Sequence, residues 1–208
     1  FSLPHPEQWE IIEADARQAD AKNEFAYTFR ILAPKTRVEA ALPGADEYAP
    51  FSAGYVNRVG RTYLPYLLKQ EATRVRDFFA ALPPEKQSYA YAPGKWTPRE
   101  ILGHISDTER IMAYRALRIA RDDESPLPGF EENSYVAAAN FNERSMEDLL
   151  DEFDTVRRAT LSLVNSLAPD VLANRGTASE HTVSVRALLY IIAGHARHHE
   201  AVIREKYV

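Results

Sequence analysis

Leu188-Leu189-Tyr190-Ile191-Ile192-Ala193-Gly194-His195-Ala196-Arg197-His198-His199-Glu200-Ala201-Val202-Ile203 is the stretch that decides the fold of this chain. Three of the six histidines fall within five residues of it, and a helix places side chains three or four apart on one face. Val185, Leu188, Ile192, His195, His199 and Val202 step by three, four, three, four and three, which is the spacing of a buried seam. The competing register, through Leu188, Ile191, His195, His198 and Val202, runs into Ser184 at one end and Glu205 at the other, and so reads as the edge of that face. His195 is therefore paired with His199, and His198 is placed beside them.

Working outward, three further segments carry the same periodicity. From Arg61, residues Leu64, Leu67, Leu68, Val75, Phe78, Phe79 and Leu82 keep helical spacing until Pro83-Pro84 stops them. Thr97-Pro98-Arg99-Glu100 has the form of a capping box, with proline at the first helical position. The helix it opens turns Ile101, His104, Ile105, Thr108, Ile111, Met112, Arg115 and Ile119 inward. Ser145 caps a third, whose seam runs from Met146 to Leu167 before Pro169, and Ser184 caps the fourth, which carries the histidines. Four amphipathic helices with no convincing central strand predict an all-α four-helix bundle over residues 51–208.

The connections are less regular. Residues 1–50 read as an irregular arm, with a short helix starting near Pro6 before Trp9, Ile11 and Ile12, and a strand over residues 25–32. His5, flanked by proline in this arm, is read as a surface histidine. Residues 121–142, broken by Pro126, Pro128 and Gly129, form a connection long enough for a lid or binding loop, in which Phe130 and Tyr135 would shape a pocket. Residues 170–182 are read as a second loop, with His181 exposed to solvent.

The chain has 208 residues, 45% of them hydrophobic and 26% charged, as expected of one well-buried soluble domain. A formal charge of -5 without a basic block lacks the footprint of a nucleic-acid binder. No run approaches the roughly 20 apolar residues that span a bilayer, so no membrane partner is expected. The opening on Phe1 instead of Met fits a trimmed or tagged terminus. The absence of cysteine excludes disulfides and thiolate ligands and fits the cytoplasm, leaving imidazole and oxygen to hold any metal.

In a bundle, His104 from the second helix can converge with His195 and His199 from the fourth. Three neutral imidazoles suit a divalent ion, zinc or nickel first and iron or manganese next, and leave a position open where water is driven toward hydroxide or a thiol toward thiolate. A histidine pair four apart on a core-facing helix is also consistent with satisfied core histidines. Ala196 stands where a zincin requires glutamate, which argues against that protease class. Asp107 either fixes the His104 tautomer or faces solvent, and Glu71 either joins the metal or snorkels at the rim. Arg157 and Arg158 either reach an anionic substrate or form surface ion pairs.

Tyr91-Ala92-Pro93-Gly94-Lys95-Trp96, Leu102-Gly103-His104-Ile105-Ser106-Asp107-Thr108-Glu109-Arg110, Ala113-Tyr114-Arg115, Pro128-Gly129-Phe130 and Ala193-Gly194-His195-Ala196-Arg197-His198-His199 together resemble the DinB-like superfamily, including YfiT-type metal-dependent hydrolases and thiol transferases. The resemblance covers roughly residues 47–208. It implies an up-down-down-up bundle, often a homodimer, with a divalent metal held by His104, His195 and His199. It also implies a small-molecule substrate and, in many members, a low-molecular-weight thiol as nucleophile or cofactor. The alternative is a non-catalytic scaffold whose metal only stabilises the bundle; a fourth protein ligand such as Asp107 or Glu71 would favour it.

Overall fold

The computed structural model describes residues 6, 9–19, 24–34, 42–60 and 62–207. Its helices are α1 (Ala53–Val56), α2 (Leu64–Ala80), α3 (Pro84–Gln87), α4 (Pro98–Ala120), α5 (Glu132–Ala139), α6 (Met146–Ser166) and α7 (Val185–Lys206). The long helices α2, α4, α6 and α7 form the bundle, with α6 touching both α2 and α4 and α7 touching both from the other side. Their directions follow from two buried clusters at opposite ends. One joins Leu64, Leu67 and Leu68 of α2 to Ala116 and Ile119 of α4, Val164 of α6 and the start of α7. The other joins Val75 and Phe79 to Ile101, Leu102 and Ile105, to Leu149, Leu150 and Phe153, and to Ala196 and Ile203. Helices α2 and α7 therefore run one way and α4 and α6 the other, which is the up-down-down-up order.

The helix starts are set as their sequences require. Glu100 N–H donates to Thr97 Oγ1 at 3.2 Å and Thr97 N–H to Glu100 Oε2 at 2.7 Å, closing the capping box of α4. Ser145 and Ser184 accept from the amides of Asp148 and Ala187, each at 3.1 Å. Each bond satisfies an otherwise orphaned donor of a first turn.

Two connections differ from expectation. Trp9–Arg17 is a strand, β1, and not the start of a helix; it pairs antiparallel with β2 (Tyr27–Pro34), with an irregularity between Ile11 and Glu13. The partner strand supplies ladder bonds that outweigh a weak local helix signal. His5 lies outside the described residues. The stretch read as a loop after α6 contains a second hairpin, β3 (Arg175–Ala178) with β4 (His181–Ser184). Its turn places Ser179 and Glu180 at φ 50° and 66°, conformations usually taken by glycine or asparagine, so no turn signature marked it. Leu127 N–H donates to Thr177 O at 2.9 Å and Ser179 N–H to Leu127 O at 3.0 Å, tying the long connection after α4 to this hairpin.

Arg157 is neither a substrate ligand nor a surface residue. It is 1% exposed, and its Nε and Nη2 donate to Glu109 Oε1 and Oε2, both at 2.8 Å, while Nη1 donates to Leu68 O. The pair locks α2, α4 and α6 together, whereas Arg158 only donates to Thr155 Oγ1. Removing one partner strands the other charge in the core, so Arg157→Ala is expected to cost about 3–5 kcal/mol in urea unfolding, and the double change Glu109→Gln with Arg157→Met to recover most of it.

Candidate metal centre

The inward stripe of α4 faces the seam of α7 near the middle of the bundle. His104 Nε2 lies 3.1 Å from His195 Nε2, and His199 Nε2 lies 3.0 Å from the same atom. Each residue contributes one potential ligand atom to a group spanning at most 4.8 Å. Nitrogen ligands about 2.0–2.1 Å from a zinc-sized ion stand about 3.3 Å apart at tetrahedral angles, so the donor set fits a small divalent cation. No carboxylate joins the group among the described residues. His198 stays outside it, its ring against Tyr55 and His199, as the register predicts.

Glycines immediately before two of these histidines let neighbours come close. A Cβ on Gly194 would stand 2.0 Å from the carbonyl oxygen of Tyr55, and one on Gly103 would stand 2.4 Å from the Phe141 ring. The Tyr55 ring can then rest edge-on against His195, with centroids 5.2 Å apart. On the other side Trp96 covers His104 at 4.6 Å. These walls exclude water, and burial pushes His104 down to about 4. Burial, then the neighbouring rings of His199, His104 and His198, push His195 well below the ordinary imidazole range; His199 is lowered by burial, then by His104 and His198. All three rings are thus neutral at pH 7, with lone pairs available.

Asp107 does not hold the His104 tautomer. It accepts from Arg110 at 3.1 Å, while Thr108 Oγ1 lies 3.5 Å from His104 Nδ1. A helical side chain leans toward its own N-terminus, so the residue four ahead covers His104 and the one three ahead is turned aside. Glu71 neither joins the histidines nor snorkels at the rim. Buried at 1% exposure, it accepts from Arg197 at 2.7 Å and pairs with Arg74 at 2.9 Å, bridging α2 and α7.

The three rings stand between two cavities. One, of about 340 Å³, reaches His104 and His195 and is walled by Tyr55, Met112, Arg115, Phe130 and Ile191. The other, of about 240 Å³, reaches His199 and His198 and is walled by Trp96, Tyr91 and Tyr207. Phe130 thus lines a pocket as expected, whereas Tyr135 is half exposed and touches it only through the Phe130 ring. His181 is exposed, beside Phe51. Tyr55 and Ser179 carried no local sequence signal for the site, whereas Trp96 closes one of the motifs of the family resemblance. Arg115 carried one, as an arginine on a core-facing stripe.

A four-helix bundle with imidazoles from two of its helices gathered at the centre defines a class of helical proteins with an interior cluster of side chains that could hold a metal. The family model described as the DinB superfamily matches residues 67–203, and the chain belongs to that family. Two relatives from Oceanobacillus iheyensis are named "Putative metal-dependent hydrolase". OB0782 is 25% identical over 142 residues, covering 67% of this chain and 77% of its own. OB0413 is 28% identical over 142 residues, covering 66% and 81%. The fold is similar to YfiT from Bacillus subtilis, described as a probable metal-dependent hydrolase with an unusual four-helix bundle topology (TM-score 0.61, 14% identity, 76% of this chain and 91% of that one). It is also similar to a mycothiol-dependent maleylpyruvate isomerase (TM-score 0.56, 11% identity, 66% and 58%).

Two outcomes follow from the packing. Gly194→Ala drives a methyl into backbone, and urea titration is expected to show a loss of about 1–3 kcal/mol or more. In metal-free protein the folded state refuses protons that the unfolded chain accepts below about pH 6.5. Since stability rises with pH wherever the unfolded state binds more protons, it is fullest above that value and falls as the pH drops toward the His104 value of about 4. Thermal melts of chelator-treated protein between pH 7.5 and 4.5 check this, with His104→Phe expected to flatten the fall.

Proposed function

We propose that this protein is a metal-dependent enzyme in which His104, His195 and His199 hold one divalent ion, zinc or nickel first, through their Nε2 atoms. The convergence of three uncharged imidazole nitrogens beside two cavities carries the reading. When bound, the ion supplies a Lewis acid that lowers the pKa of a water or thiol. The chain's own residues orient the rings, keep them unprotonated, and exclude bulk water with Tyr55 and Trp96. The names of the Oceanobacillus relatives support hydrolysis of a small-molecule substrate. The likeness to a mycothiol-dependent isomerase, together with a separate cavity on each side of the rings, supports a low-molecular-weight thiol as co-substrate.

A scaffold with a purely structural metal needs a fourth protein ligand. The two acids proposed for that place, Asp107 and Glu71, are engaged by arginines instead. The reading also carries a homodimer, as the family resemblance implies, and a place in the cytoplasm, which the absence of cysteine fits; no helix among the described residues is long and apolar enough to cross a membrane.

Protein purified without chelator is expected to contain about one divalent ion per chain, and His199→Ala to lose it while keeping its helical circular dichroism. Native protein that holds no metal and gains none on titration overturns the reading. An electrophile presented with and without small thiols then separates the two reactions: metal-dependent conjugation identifies a transferase, and thiol-independent cleavage of an ester or amide a hydrolase.

A further inference from the structure

Among the described residues two arginines are deeply buried, and they are treated in opposite ways. Arg157 is neutralised by both oxygens of Glu109. Arg115, 5% exposed, has no carboxylate within ion-pair distance among the described residues. Its Nη2 donates to Pro128 O at 2.7 Å and Ser179 Oγ at 3.0 Å, and its Nη1 to the Met112 sulfur at 3.7 Å. Burial lowers its guanidinium, and nothing opposes that shift. An uncompensated buried cation is costly, and neutral acceptors offset only part of the loss of water.

This cation lines the same cavity of about 340 Å³ that reaches His104 and His195. Arg115 sits three turns along α4 from His104, and its side chain leans back toward the histidines, as its contact with Met112 shows. Between the two ends Tyr55, Met112, Phe130 and Ile191 make the walls largely apolar, with the hydroxyls of Ser52 and Thr108 among them. Glu132 lies at the exposed side and makes no ion pair with Arg115, so an incoming anion displaces no carboxylate. The volume is at the lower end for small-molecule sites, about 300–1,000 Å³.

We propose that Arg115 anchors the anionic end of a small organic acid with an apolar body, whose other end lies at the three imidazoles. The inference deepens the proposed function, naming the substrate class of the same site, and rests on it for the role of the histidine end. Arg115 is the specificity-determining group: its fork of donors suits a carboxylate, and its neutral holders fix the guanidinium without consuming its charge.

The test is titration of 4-fluorophenylacetate and its neutral counterpart 4-fluorophenylacetamide, followed by fluorine NMR, against zinc-treated and chelator-treated protein. Native protein is expected to bind the acid about tenfold more tightly than the amide, the size of a charge-assisted hydrogen bond. Arg115→Met is expected to abolish that preference and Arg115→Lys to keep part of it, both without metal and with it. Equal binding of acid and amide, binding of neither, or an unchanged preference in Arg115→Met overturns the proposal. A preference that disappears on chelation but survives Arg115→Met places the carboxylate on the ion, which overturns the Arg115 role and leaves the metal reading standing. An Arg115-dependent preference in protein that takes up no metal supports the anchor while the metal reading fails. If Arg115→Met does not fold, the arginine Nε–H signal of native protein that is missing from Arg115→Lys decides: it moves with the acid and not the amide, or the proposal falls.

Discussion

Three imidazole nitrogens gathered within 4.8 Å and kept from water set the terms for the rest of this molecule. Such an arrangement is poor as a core. Neutral rings at 3.0 and 3.1 Å can share only the protons they carry, and a charge on any one of them is opposed by burial, and on His195 and His199 also by the neighbouring rings. The bundle nevertheless forces them together. Helices α4 and α7 run antiparallel and in contact, and the close approach of Tyr55 to Gly194 and of Phe141 to Gly103 clamps each histidine-bearing turn from behind. Donor atoms that are costly to leave unsatisfied, held by packing that cannot easily relax, are what an ion with several open positions would relieve. That is the physical content of the proposed metal site.

The charged groups of the core divide along the same line. Arg157 with Glu109 joins three helices, and Glu71 and Glu200 join α2 to α7 through Arg74, Arg197 and Arg204. These pairs are closed, with each charge answered within the chain. Around the cavity the pattern is open: His104, His195 and Arg115 face the same space, and Glu132, the carboxylate that lines it, is exposed and makes no ion pair with Arg115. A protein that satisfies its structural charges so thoroughly, and leaves a different set unanswered around one cavity, separates the groups that hold the fold from those available to a ligand.

Much of the bundle is legible in the sequence. Caps at Thr97, Ser145 and Ser184, and seams with helical spacing, depend on contacts within a few residues, and the structure has all three caps. The choice of His199 over His198 could be read because Val185, Leu188 and Ile192 fix which face of α7 is buried. What could not be read depends on partners distant in sequence. The Trp9–Arg17 strand exists through its pairing with Tyr27–Pro34, and the β3–β4 turn lacks the residues that usually announce one. Glu71 could not be placed because an acid in a helical seam looks the same in sequence whether it faces a histidine or is answered by an arginine more than a hundred residues away, as Glu71 is by Arg197.

The position of the long connection between α4 and α6 links fold to chemistry. Because those two helices run the same way, the chain must travel the length of the bundle to join them, and no short turn can do so. It uses that distance to lay Pro128, Gly129 and Phe130 along the cavity, pinned through Leu127 to the β3–β4 hairpin, whose Ser179 in turn holds Arg115. The end of the cavity around Arg115 is therefore built in part from two segments outside the four long helices, whose Leu127, Ala178 and Val183 anchor them in the bundle's core. Phe130 and Ser179, which face the cavity, therefore shape the space beside the imidazoles with residues that the four long helices do not supply.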